Sequence, residues 1–221
     1  MTLSSDLTTR FAPELRGFGA SLPDDFSAAL TTLEPHMAPE ELERWAQDGI
    51  ALANASLRSW EAAAEYFRAT PKVLDRLGAD GVHEWVGTAQ RLAESSSLMA
   101  AAYLKSTPDA LSVLGTDDLE SWAGQGERLC RGNWKSIALA ALYFQVSPQL
   151  FRSLPLNSVG RLVDIIDQLT ERSYELANTC LESSPTIFAN LAEDDRDSFL
   201  HFARAVTRAS WADTRLYFDR G

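Results

Sequence analysis

Cysteine is scarce: Cys130 and Cys180 are the whole complement of a 221-residue chain. Two cysteines cannot supply a disulfide framework for a chain of this length, and free buried thiols are expected. Long apolar runs are missing too. The longest, Ile137 to Phe144, is far short of the roughly 20 residues a spanning helix needs, so no membrane insertion is expected. The N-terminal segment lacks the basic start and apolar core of a signal peptide, which points to a cytoplasmic protein. Basic charge is in deficit, with 20 Lys and Arg against 31 Asp and Glu and a net charge of −11. Such a surface repels phosphate backbones, which argues against nucleic acid as a partner. His36, His83 and His201 fall at unrelated positions without metal-ligand spacing, so no metal and no cofactor are expected. Gly124-Gln125-Gly126 opens no complete dinucleotide fingerprint, Gly132-Asn133-Trp134-Lys135-Ser136 lacks a phosphate-loop core, and no nucleophile elbow occurs. No catalytic residue emerges, and the reading is that the chain is not an enzyme. Period-two alternation is absent, so no strand is expected either.

What is present is an internal repeat. AAAEYFRATPKVLDRL, MAAAYLKSTPDALSVL, ALAALYFQVSPQLFRSL and YELANTCLESSPTIFANL end alike, and their prolines Pro71, Pro108, Pro148 and Pro185 are spaced by 37, 40 and 37 residues. Each proline follows Ser or Thr: Thr70, Thr107, Ser147 and Ser184. The front halves align Trp45, Trp85 and Trp122, with Leu52, Leu92 and Leu129 seven residues later. A fourth copy carries Leu162 and Leu169 there, and a fifth carries Phe199 and Val206. The fifth copy has no Ser/Thr-Pro ending and reads as a terminal cap or a truncated repeat.

Within a copy, Leu42, Trp45, Gly49, Leu52 and Ala53 share one helical face. Pro39-Glu40-Glu41 marks that helix start, as Thr116-Asp117-Asp118 and Asp80 do in later copies. The second half is a shorter helix such as Ser59 to Ala69, with a small face at Ala62-Ala63-Ala64. The Ser/Thr-Pro pair reads as N-cap and N1 of a short third helix. The fold class is therefore all-α: an α-solenoid of about five two-to-three-helix repeats of 37–40 residues, HEAT/armadillo-like, in a single domain. Residues 1–36 would form an N-terminal cap, frayed from Met1 to about Thr9, before repeats at about 37–78, 79–115, 116–155, 156–192 and 193–221.

Leu-x-x-Trp-x-x-x-Gly-x-x-Leu-Ala, then Ala-x-x-Tyr-Phe, then Ser/Thr-Pro-x-x-Leu resembles the helical repeats of bacterial von Willebrand A-domain proteins of the nitric-oxide-reductase-activation and CoxE-like group. The resemblance covers roughly residues 37 to 218 and is carried by Trp45, Gly49, Tyr66, Phe67 and Pro71. It implies a protein partner, a MoxR-type AAA+ ATPase or an A-domain protein. The A-domain's DxSxS metal motif is absent from this chain, so a metal-dependent adhesion role is not implied.

Tyrosine recurs in one column, Tyr66, Tyr103, Tyr143 and Tyr217, with Thr179 in the fourth copy. The next column is Phe67, Leu104, Phe144, Cys180 and Phe218. Either both columns pack in the core, or the tyrosines form a stripe that meets a peptide. Trp60, Trp134 and Trp211 share no repeat position and are candidate exposed anchors, or else inter-repeat packing. Glu40-Glu41, Asp117-Asp118-Glu120 and Glu193-Asp194-Asp195 read as first-turn acids that complement the helix dipole, or as an acidic edge for a basic partner. The expected function is a non-enzymatic interaction scaffold or adaptor. The alternative is a small-molecule binder or enzyme built on the concave face of the repeats.

Overall fold

In the structure, a computed structural model, residues 3–209, 213 and 216–218 are described, and every element among them is helical. The chain forms two compact units, Met1–Leu111 and Ser112–Gly221.

The first unit contains α1 (Leu3–Arg16), α2 (Leu22–Leu33), α3 (Pro39–Asn54), α4 (Trp60–Ser95) and α5 (Ser97–Leu111). Helix α1 begins where fraying was expected. Leu7, Phe11 and Leu15 form a buried i, i+4, i+8 stripe, and the Ser4 hydroxyl bonds to Glu34, so packing on α2 holds the first turn. Helix α4 is broken at Gly78, whose φ of 66° and ψ of 174° suit glycine alone. A single residue thus separates the second helix of one copy from the first helix of the next. Helix α4 packs on α2, α3 and α5.

The second unit contains a 3₁₀ turn (Thr116–Asp118), α6 (Leu119–Leu129), α7 (Trp134–Leu150), α8 (Leu156–Thr170), α9 (Tyr174–Asn190) and α10 (Glu193–Ala209). The first helices α6, α8 and α10 adjoin in that order, and the second helices α7 and α9 adjoin each other. The acidic clusters lie in first turns as the dipole argument requires. The Glu41 carboxylate accepts the Ala38 N–H at 2.7 Å, and Asp118 accepts the Gly115 N–H at 3.2 Å. Asp80, expected to be a cap, instead pairs with Arg44 at 3.2 Å.

The Ser/Thr-Pro pairs do not start a third helix. Pro71, Pro108, Pro148 and Pro185 all lie inside helices, so each of these four copies has two helices. A proline within a helix costs about 3 kcal/mol. Beyond Pro71, however, Val73 and Leu74 are buried, and beyond Pro185 so are Ile187 and Phe188. Each such side chain contributes roughly 1.5–3 kcal/mol when covered, so burial outweighs the break. The hydroxyl before each proline turns back on its own helix instead of capping a new one. Thr70 donates to the Tyr66 carbonyl at 2.7 Å, Thr107 to Tyr103 at 2.8 Å and Ser184 to Cys180 at 2.5 Å.

That hydroxyl also receives the tryptophan of its own copy. The indole N–H of Trp45 donates to Thr70 at 3.2 Å, that of Trp85 to Thr107 at 3.0 Å and that of Trp122 to Ser147 at 2.8 Å. The two most repeated features of the sequence are therefore one buried hydrogen bond, made three times. Leu162 and Phe199 occupy the same column in the core without needing an acceptor. The fourth copy also corrects the side-chain alignment. Thr179 is exposed, while Cys180 is fully buried and its carbonyl takes the Ser184 hydroxyl, as Tyr66 takes Thr70. Cys180 therefore stands in the tyrosine column and Leu181 in the next. Neither cysteine is in a disulfide: Cys180 is buried as expected, whereas Cys130, at the end of α6, is only half-buried.

Arginine–carboxylate pairs join first helices across one repeat. Arg44 meets Asp80, Arg128 meets Asp164, Arg131 meets Asp167 and Arg161 meets Asp197, each pair 36 residues apart. All are solvent-exposed and contribute at most about 1 kcal/mol each, so they fix register more than stability.

Candidate functional site

Tyr66, Tyr103 and Tyr143 do not form a surface stripe. Each is fully buried, and the Tyr143 hydroxyl donates to Gln125 Oε1 at 2.6 Å. Burial pushes the hydroxyl pKa values of Tyr66 and Tyr143 well above the ordinary tyrosine value. These three rings are core, and none can touch a partner without leaving it. Tyr217 is half-buried, with its ring centroid 4.7 Å from that of Phe199 and its hydroxyl donating to the Phe199 carbonyl at 3.2 Å. Trp60 is half-buried beside Gly19, where an added Cβ would stand 3.3 Å from the indole. Trp211 lies outside the described residues.

Trp134 is different, with 74% of its surface exposed. It is the first residue of α7, held there by the Asn133 side chain, which accepts the N–H groups of Lys135 and Ser136 at 3.1 Å each. The facing helix α9 starts with Tyr174, whose hydroxyl takes the Asn133 amide at 3.0 Å. One asparagine thus fixes both the α7 start and the tyrosine opposite. Between the helices lies an open hollow of about 220 Å³, walled by Trp134, Tyr174 and Ala138, with Lys135, Glu175 and Asn178 supplying polar groups. The Lys135 ammonium stands 5.6 Å from the Trp134 ring centroid. Of the six candidate residues that are described, only Trp134 is brought into this hollow.

Tyr174 escaped the sequence reading because it is outside the tyrosine column. A signal was available: Trp60 and Tyr174 both lie eleven residues before their repeat prolines, so an aromatic recurs at the start of the second helix.

A second polar group sits between α3 and the part of α4 beyond Gly78. His83 Nδ1 lies 2.8 Å from Asp48 Oδ2, and Arg44 lines the same small crevice. The crevice offers about 10 Å³, room for at most one water, and no nucleophile lines it. Burial raises the Asp48 pKa, partly offset by the His83 hydrogen bond and charge. A carboxyl with a raised folded-state pKa binds more protons folded than unfolded, so its contribution to stability falls as pH rises through that pKa. Asp48→Asn should therefore remove a fall in the unfolding free energy that sets in as pH rises above the ordinary aspartate value. Urea titrations at stepped pH check this, and an unchanged slope would refute it.

Among the described residues, no group of His, Cys, Asp and Glu is arranged to hold a metal ion, and no helix is long and apolar enough to cross a membrane. No protein-family model, curated protein or solved structure matches the chain.

Proposed function

We propose that this chain is a non-enzymatic protein-interaction module, a cytoplasmic adaptor whose two-helix copies stack as a HEAT-like α-solenoid. Neighbour-to-neighbour packing within each unit and the repeated Trp-to-Ser/Thr hydrogen bond support stacking of like copies. The observation that carries the interaction reading is Trp134. The tryptophans of the repeat column are nearly or fully buried, whereas this indole is 74% exposed over an unfilled hollow. An exposed indole beside a hollow has the make-up of an interface anchor. At about 220 Å³ the hollow is smaller than the roughly 300–1,000 Å³ of small-molecule sites, which favours a partner's side chain over a free metabolite. The sequence resemblance supports a MoxR-type AAA+ ATPase or an A-domain protein as that partner.

Pull-down of the tagged chain from its native host, with and without ATP, tests the reading. An AAA+ ATPase or A-domain protein should be enriched. Trp134→Ala should weaken its capture roughly tenfold or more, as expected for an anchor, with the urea midpoint unchanged. Undiminished capture by the variant would dismiss Trp134 as the anchor, and enrichment of neither class would dismiss the adaptor role.

A further inference from the structure

We infer that the hollow between Trp134 and Tyr174 takes the side chain of a lysine from a basic segment of a partner protein. This deepens the interaction reading and rests on it only for the ligand's being part of a protein. A lysine offers two things, a four-carbon apolar stem and a terminal ammonium. The hollow answers both. Ala138 and Leu139 supply apolar surface for the stem, and the rings of Trp134 and Tyr174 line the space. An indole face attracts an ammonium within about 6 Å of its centroid. The chain's own Lys135 places Nζ at 5.6 Å, so the ring already holds a cation that an incoming one can replace.

Charge points the same way. Glu175 is exposed at the rim and has no ion-pair partner among the described residues. Asn178 adds an amide oxygen that can accept from an ammonium. A net charge of −11 draws a basic segment in from a distance and turns an acidic one away. A neutral aliphatic side chain would use the walls and leave Glu175 idle.

The probes are two peptides, Gly-Gly-Lys-Gly-Gly and its counterpart with norleucine, which keeps the stem and lacks the ammonium. Each is titrated into the ¹⁵N-labelled full chain while the Trp134 indole N–H resonance, assigned with Trp134→Leu, is followed. The lysine peptide should bind about two- to fivefold more tightly than the norleucine peptide. That preference should shrink in Glu175→Gln, which keeps the Trp134 ring but removes the rim charge, and Lys135→Ala, which frees the ring, should tighten lysine binding. Equal or tighter binding of norleucine, a preference undiminished in Glu175→Gln, or no movement of the indole resonance would overturn the inference. Partner capture that depends on Trp134 while both peptides leave the indole unmoved would overturn only the lysine assignment and leave the interaction reading standing.

Discussion

Gly49→Ala should destabilise the first unit by roughly 1–3 kcal/mol, although alanine is the better helix former by about 1 kcal/mol. A methyl group on Gly49 would overlap the buried ring of Phe67, and one on Gly126 would overlap Phe144 in the same way. Neither ring can step aside, since both are fully covered. Gly87 is the control: it is exposed, sits in the same kind of helix and has open space around it. Gly87→Ala should therefore stabilise by about 0.5–1 kcal/mol. The second copy indicates the rescue, because it has Ala89 where the first and third copies have glycine and Leu104 where they have phenylalanine. Gly49→Ala combined with Phe67→Leu should recover most of the loss in urea unfolding. A stabilising Gly49→Ala, or no recovery in the double variant, would refute the packing account.

Trp122→Ala should cost about 3–5 kcal/mol, the range for removing a fully buried indole. Its ring centroid stands 5.2 Å from that of Phe144 and 6.2 Å from that of Phe151, both edge to face, so the cavity would open against two aromatic rings. The hydrogen bond can be measured separately. Ser147→Ala strands the indole N–H in the interior, at about 1–3 kcal/mol. In a Trp122→Phe background there is no N–H left to strand, and the same serine substitution should cost much less. Additive effects across this double-mutant cycle would mean that the 2.8 Å contact contributes nothing specific.

How far the fold could be read from the residues depended on which force decided each feature. The tryptophan column and the helical periodicity are set by burial, and burial leaves a repeating mark in the sequence. The Ser/Thr-Pro pair carries the mark of a helix start, yet its hydroxyl is taken by a tryptophan at least 22 residues away, which local spacing does not show. Buried side chains beyond the proline then carry the helix through. The tyrosine columns failed as a surface for a related reason. Adjacent positions on a helix point about 100° apart, so one of the two can face solvent only where a side is uncovered. The second helices of these copies have neighbours on several sides, α4 against α2, α3 and α5, and α7 against α6, α8 and α9. Gln125 then gives the Tyr143 hydroxyl somewhere to go inside. Of the candidate site, Trp134 was legible because it broke the repeat. Tyr174 carried a fainter mark, its spacing from Pro185, but its pairing with Trp134 is set by a helix pairing rather than by a column.

The arginine pairs also share a direction within each unit. Arg10 of α1 reaches forward to Glu43 of α3, Arg44 to Asp80, Arg128 to Asp164, Arg131 to Asp167 and Arg161 to Asp197. In each of them the cation comes earlier in the chain, from the earlier helix or, for Arg131, from the segment just after it, and the carboxylate belongs to the later helix. Helix α8 shows both ends of the rule, giving Asp164 and Asp167 to its predecessor and Arg161 to its successor. Copies coupled in this way behave like connectors with a plug on one side and a socket on the other. A copy turned end for end would still bury its tryptophan, but plug would then face plug. The hydrophobic columns build the core of each copy; the charges set which way round neighbouring copies run.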